Sequence, residues 1–341
     1  RVVRPVNKRF ILLLSVALAC GVMAGCGSGG AAGGMTEGGT VSDGTAKGDN
    51  RKAAEDDVYT FTDDLGREIV VTSHERVASL LGSYADMWVL AGGSLVAAPE
   101  DAFVDFDLSL PEDTVKLGET KRLSLELLLS SAPDFVLAST NTAQHLEWQP
   151  SLLGAGIVTA YFDVACFEDY LRVLEIFTDI TGEKERYKQY GESLKGQIAD
   201  VLSRYADQTP PSVLFLRASA ASIRAKGNDG NVLGGMLEEF GCVNIADTQE
   251  SLLEQLSVES ILLQDPDKIL IVQSGDDAEG MKQNVEKMFY ENPIWNELSA
   301  VKSGEVYFLD KHLYNLKPNA RWAEAYEKLA EILYGEMQDV E

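Results

Sequence analysis

Six cations stand out in a chain that is otherwise acidic. Arg217, Arg224 and Lys226 fall within one stretch of ten residues, and Lys311, Lys317 and Arg321 within one of eleven. The 341 residues hold 29 Lys and Arg against 54 Asp and Glu, a formal net charge of −25. Guanidinium groups hold carboxylate and phosphate oxygens in a fork, so clustered Arg and Lys are candidates for gripping an anion. The other reading is a set of solvated surface cations. Arg217 and Arg224, just past an apolar run that reads as a strand, come first among them. Tyr84, Trp148 and Tyr314 are ring candidates for packing on a flat ligand, or else core or rim. Three histidines, His74, His145 and His312, are too few and too scattered for a bare zinc or manganese site. No nucleophile–base pair and no phosphate loop emerges, so no enzyme is expected. A nucleic-acid binder would need a basic face, and the net charge argues against one.

Two carboxylates recur in matching surroundings. Leu123-Ser124-Leu125-Glu126 precedes an apolar helix, then Pro133-Asp134 and the run Phe135 to Ala138. Leu256-Ser257-Val258-Glu259 precedes another, then Pro266-Asp267 and Lys268 to Val272. Ser, Glu, Pro and Asp all recur at an offset of 133 residues. Each copy reads as a serine-capped helix feeding a buried strand, which predicts two homologous α/β lobes. An acid in the first turn also favours the helix dipole, by about 0.3–1 kcal/mol.

The first 25 residues differ from the rest. Arg1, Arg4, Lys8 and Arg9 give them +4 and leave −29 for the remainder. A basic head and the short apolar run Phe10 to Ala19 read as a secretory signal, too short for a confident membrane span. Val22-Met23-Ala24-Gly25-Cys26 resembles a bacterial lipobox, which makes Cys26 the expected lipidation site. Residues 26–57, rich in Gly, Ala, Ser, Thr and Asp, suit a flexible tether. Cys20 lies in the signal, and Cys166 and Cys242 are read as unpaired, buried small hydrophobes.

From Val58 onward strands alternate with helices, so each lobe should carry a mainly parallel sheet. Val58 to Val71 reads as a hairpin around Asp63-Asp64-Leu65-Gly66. Ser83 is expected to cap a helix reaching about Ala91. Phe167 to Ala206 reads as helical with one break at Thr181-Gly182, and Asn231 to Phe240 as a helix closed by Gly241. The expected layout is a first lobe over 58–180, a connecting helix over 181–207 and a second lobe over 208–341.

The ordered pieces together resemble the helical-backbone substrate-binding proteins of ferric-siderophore, haem and vitamin B12 importers. They are Phe61 to Arg67, Arg76-Val77-Ala78-Ser79, Ser124 to Val136, Gly154-Ala155-Gly156-Ile157, Gly241 to Ala246, Leu256-Ser257-Val258-Glu259, Asp265-Pro266-Asp267 and Trp295 to Val306. The resemblance implies two Rossmann-like α/β lobes joined by one long helix, with the ligand in the cleft between them and small opening motions. It implies a lipid-anchored, extracytoplasmic protein, a monomer, that delivers its ligand to an ABC permease driven by a cytoplasmic ATPase. Glu126 and Glu259 match the family's two glutamates that pair with permease arginines.

Loops after strand ends would line such a cleft. They are Gly82-Ser83-Tyr84, Ser139 to Trp148, Arg217 to Asn231 and Lys311 to Arg321. The residues expected to meet the ligand are Tyr84, Trp148, Arg217, Arg224, Lys226, Tyr314 and Arg321. An iron–siderophore chelate comes first; haem, with His145 or His312 as a candidate axial ligand, and a corrinoid follow. A ligand sensor or scaffold without transport would look the same in sequence.

Overall fold

The computed structural model describes residues 58–248 and 250–335. Two antiparallel strands, β1 (Tyr59–Thr62) and β2 (Glu68–Val71), open it. The first lobe follows with β3 (Val77–Ser79), β4 (Ala97–Ala98), β5 (Val115–Lys116), β6 (Phe135–Ser139) and β7 (Val158–Phe162). The second holds β8 (Ser212–Ala218), β9 (Ile223–Ala225), β10 (Val243–Asn244), β11 (Lys268–Gln273) and β12 (Val306–Leu309). Strand order is β5-β4-β3-β6-β7 in one sheet and β10-β8-β11-β12 in the other, all parallel. Only β9, antiparallel on β8, departs from this. The central strands are unbroken apolar runs because helices cover both faces of a parallel sheet.

Alternate residues on each strand feed different cores. Phe135 and Leu137 of the first lobe join Val213, Phe215, Leu270 and Val272 of the second in one contiguous cluster through Tyr170, Leu194, Ile198 and Trp322. Val136 and Ala138 face a smaller cluster of the first lobe, and Leu214, Leu216, Ile269 and Ile271 one of the second. The lobes therefore share a packed interior, and hinging them apart would expose it.

The internal repeat is built into the hydrogen bonding. Ser124 Oγ accepts from Leu127 N at 3.2 Å, and Ser257 Oγ accepts from Ser260 N at 3.3 Å. Asp134 accepts from the amides of Glu75 and Arg76 at the entrance to β3. Asp267 accepts from the amide and hydroxyl of Ser212 at the entrance to β8, both at 2.7 Å. Each aspartate pins the first strand of its lobe.

The Phe167–Thr181 helix ends at Gly182, whose φ of 75° is left-handed, and a helical run from Lys184 to Tyr205 follows. At 1.5 Å per residue it spans about 33 Å. Its start is held to the first lobe by Arg186 donating to the Leu90 carbonyl, and its end to the second by Arg204 pairing with Glu327 and Tyr205 stacking on Tyr334. Lys188–Glu192 is a π-turn within this run, which helical periodicity alone does not reveal.

Two local expectations are corrected. Leu81, not Ser83, is the N-cap of the Gly82–Leu90 helix, and Ser83 lies inside its first turn. Cys166 is half-buried and caps the Phe167–Thr181 helix with Asp169, rather than filling the core. Cys242 is buried, and burial pushes both thiols up to about 12. Both are free. Cys26 and the tether lie outside the described residues.

Candidate functional site

The lobes face each other at the C-terminal ends of their parallel strands, where α/β sheets place ligands. Three contacts join the lobes in this region. Lys311, just after β12, reaches Asp105 of the first lobe at 2.7 Å and Asp276 of the second at 2.5 Å. Burial opposes its charge, and the two carboxylates more than offset this, so its pKa ends above the ordinary value. Gly235 of the second lobe packs close to Cys166 of the first, where an added methyl would lie 3.3 Å from Cys166 Cβ. Buried Asn319, held at a φ of 51°, donates to the Ser83 carbonyl at 2.9 Å and to Asp86 Oδ2 at 2.7 Å. Burial raises the pKa of Asp86, and the Asn319 bond opposes the rise.

Between these contacts the second lobe gathers cations. Arg217, next to last in β8, pairs in register with Arg224 of β9, so both side chains share one face. Arg217 is half-buried and donates to Asn231 Oδ1 at 2.7 Å; its Nε is buried without a partner. Burial lowers its pKa. Burial also lowers that of Lys226, with Arg217 and Arg224 adding to the effect. Lys317 stands 5.6 Å from the ring centroid of Tyr84 in the first lobe. Its pKa falls through burial, with Asp163 pulling up and Arg217 pulling down. Among the described residues, none of Arg217, Arg224, Lys226 and Lys317 forms an ion pair with a carboxylate.

The other expected ligand residues lie elsewhere or are already engaged. Tyr84 is fully buried, its hydroxyl donating to the Phe162 carbonyl, and Tyr314 is 2% exposed, donating to the Ala325 carbonyl. Trp148 packs, partly buried, against the outer cluster of the first lobe. The rings of Tyr84 and Tyr314 are core rather than ligand platforms. Arg321 is exposed but forked onto Glu324 at 2.7 and 3.0 Å. His145 is fully buried within the first lobe: its Nδ1 accepts from Ser139 N, and burial pushes its pKa down to about 4. It is no haem ligand there. His312 is half-exposed beside the cleft, between Asp310 at 2.9 Å and Asp105 at 3.6 Å.

Sequence reasoning missed Asn231 and Asp105 and did not single out Lys317 from its neighbours. A recess of about 380 Å³ among Ile223, Leu256, Met288 and Trp295 lies on the opposite face of the second sheet. Its one cation, Lys287, is paired with Glu291 at 3.6 Å. Glu126 and Glu259 are exposed in their helices' first turns and, among the described residues, have no ion-pair partners. Among the described residues no group of three or more His, Cys, Asp or Glu is placed to hold a metal ion, and no helix is long and apolar enough to cross a membrane.

The chain matches the periplasmic binding protein family over residues 77–313. It is 23% identical over 224 residues to the high-affinity heme uptake system protein IsdE of Staphylococcus aureus (strain MRSA252), covering 65% of this chain and 75% of that protein. An ABC transporter substrate-binding protein from Listeria monocytogenes EGD-e superposes with a TM-score of 0.65 at 22% identity, over 77% of this chain and all of that one. Staphylococcus aureus SirA complexed with staphyloferrin B gives a TM-score of 0.60 at 22% identity, over 81% of this chain and 97% of that one. Two parallel-sheet lobes with a shared interior and a strand-end cleft thus accompany a match across most of the folded body, and the chain belongs to the periplasmic binding protein family, one of extracytoplasmic solute-binding proteins.

Proposed function

We propose that this protein captures an anionic ferric chelate in the cleft and hands it to an ABC permease, working as a binding protein and not as an enzyme. The observation that carries the reading is the set of unpaired cations. In a chain with 54 acids and 29 bases, Lys226 and Lys317 each lie close enough to Arg217 to feel its charge, all three are half-buried, Arg224 stands in register beside Arg217, and among the described residues no carboxylate is paired to any of them. Clustering like charges away from water is unfavourable unless an anion offsets it. A carboxylate-rich iron chelate supplies that anion. SirA, whose structure holds staphyloferrin B, has the same fold.

Haem is the second reading, favoured by the sequence similarity to IsdE and by half-exposed His312. Its two propionates would meet the same cations. Anchoring through Cys26 and docking through Glu126 and Glu259 complete the proposal. Two exposed acids at matching places on two lobes suit a basic, two-fold permease surface.

The test is to titrate the full chain with ferric citrate, hemin and cyanocobalamin, following tryptophan fluorescence and absorbance at low and high salt. Ferric citrate should bind saturably and weaken as salt rises. Binding of cyanocobalamin alone, or of any probe without salt dependence, would contradict the reading. Uptake of radioiron by cells, lost on deletion of the gene, separates transport from a sensor or scaffold.

A further inference from the structure

Asn231 stands at the N-cap of the Val232–Glu239 helix, where an Asn side chain ordinarily accepts from the first helical amides. It makes no such bond here. Its Oδ1 accepts from Arg217 Nη2 at 2.7 Å, while its Nδ2 donates to the carbonyls of Gly227 at 3.0 Å and Asp229 at 2.8 Å. The amide is therefore fixed from behind by the loop and turned toward the guanidinium. That loop is itself held close: a methyl on Gly234 would come 2.1 Å from the Asn228 carbonyl oxygen. Aspartate caps helices as well as asparagine does and would bind Arg217 more strongly. It would also cancel the charge.

We propose that Asn231 is the positioning residue of the cleft: it holds the Arg217 guanidinium in place through a neutral acceptor, and so keeps the site selective for chelates that carry carboxylates. The role rests on the reading of the cleft as an anion site. Arg217 spends one of its five N–H groups on Asn231 and retains its full charge for the ligand. Lys317 follows the same rule, since the group beneath it is the neutral ring of Tyr84. In a chain rich in carboxylates, neutral partners at both places are what leaves the pair open to an outside anion.

The experiment compares Asn231→Asp, Asn231→Leu and Arg217→Ala with the parent, as full chains, by titration with ferric citrate across a salt series. Both substitutions at 231 remove the bonds to Gly227 and Asp229, and only Asp adds a charge. Arg217→Ala and Asn231→Asp should each weaken binding about tenfold or more and flatten its salt dependence. Asn231→Leu should weaken it a few-fold and keep the parent's salt dependence, because the guanidinium is loosened but still charged. Parent-like affinity in either variant at 231, with Arg217→Ala impaired, overturns the role of Asn231 alone. If the Asp variant does not fold, the Leu variant still decides. Ferric citrate binding that ignores Arg217→Ala, or none in the parent, overturns the anionic reading of the cleft and the role with it.

Discussion

Lys311 Nζ lies 2.7 Å from Asp105 Oδ1, and this ion pair joins the second lobe to the first across the cleft. Lys311 is 9% exposed, so the pair is shielded more than a surface bridge would be. Lys311→Met keeps the stem and removes the charge, leaving Asp105 without its cation. The variant should lose about 1–3 kcal/mol of stability in urea unfolding. With this link between the lobes released, ferric citrate should also enter and leave faster in stopped-flow fluorescence. Unchanged rates would mean that this contact does not limit access.

His145 sets a pH dependence. Its folded pKa of about 4 lies below the ordinary 6.5, because burial disfavours the imidazolium. The unfolded chain takes up the proton first. This stability is therefore full above about pH 6.5 and is lost as pH falls toward 4, by about 3 kcal/mol in all. Carboxylates titrate over part of the same range, so the comparison is with His145→Gln. That variant should be less stable at neutral pH and should show a shallower decline between those limits. Parallel profiles would contradict the assignment.

Asp134 and Asp267 perform the same task in the two lobes, each accepting from the backbone where the first strand begins. Asp134→Ala and Asp267→Ala should each cost about 1–2 kcal/mol in urea unfolding, with ligand affinity preserved. A large effect at one and none at the other would break the structural equivalence of the repeats.

Glu126→Ala and Glu259→Ala separate delivery from capture. Among the described residues neither glutamate has an ion-pair partner, and both lie far in sequence from the cleft cations. Each variant should lose no more than about 1 kcal/mol, the dipole contribution of a first-turn acid. Ferric citrate affinity should match the parent, while iron uptake by cells falls, further in the double variant. Normal uptake in the double variant would remove the pair from docking.

The repeat was legible in the sequence because its chemistry is local. A serine cap three residues before the amide it accepts from, and an aspartate at the mouth of a strand, leave the same letters wherever they occur. The rings misled for the opposite reason. Nothing in the letters says whether Tyr84 or Tyr314 turns its ring inward, since that depends on the sheet each helix packs against. Lys311 and Lys317 are six positions apart, yet only Lys311 meets a carboxylate of the first lobe, from a residue 206 positions away. Asn231 read as the start of a helix, which it is; its side chain serves Arg217 instead, a choice made by the loop that folds back over it.

The most direct measurement is the position of the metal itself. A crystal of the full chain grown with a ferric chelate would show the iron by anomalous scattering at its absorption edge. An anion-binding cleft predicts that peak between the lobes, with chelate oxygens on Arg217 and Lys317. A peak in the recess beside Trp295, or on an outer surface of either lobe, would contradict it.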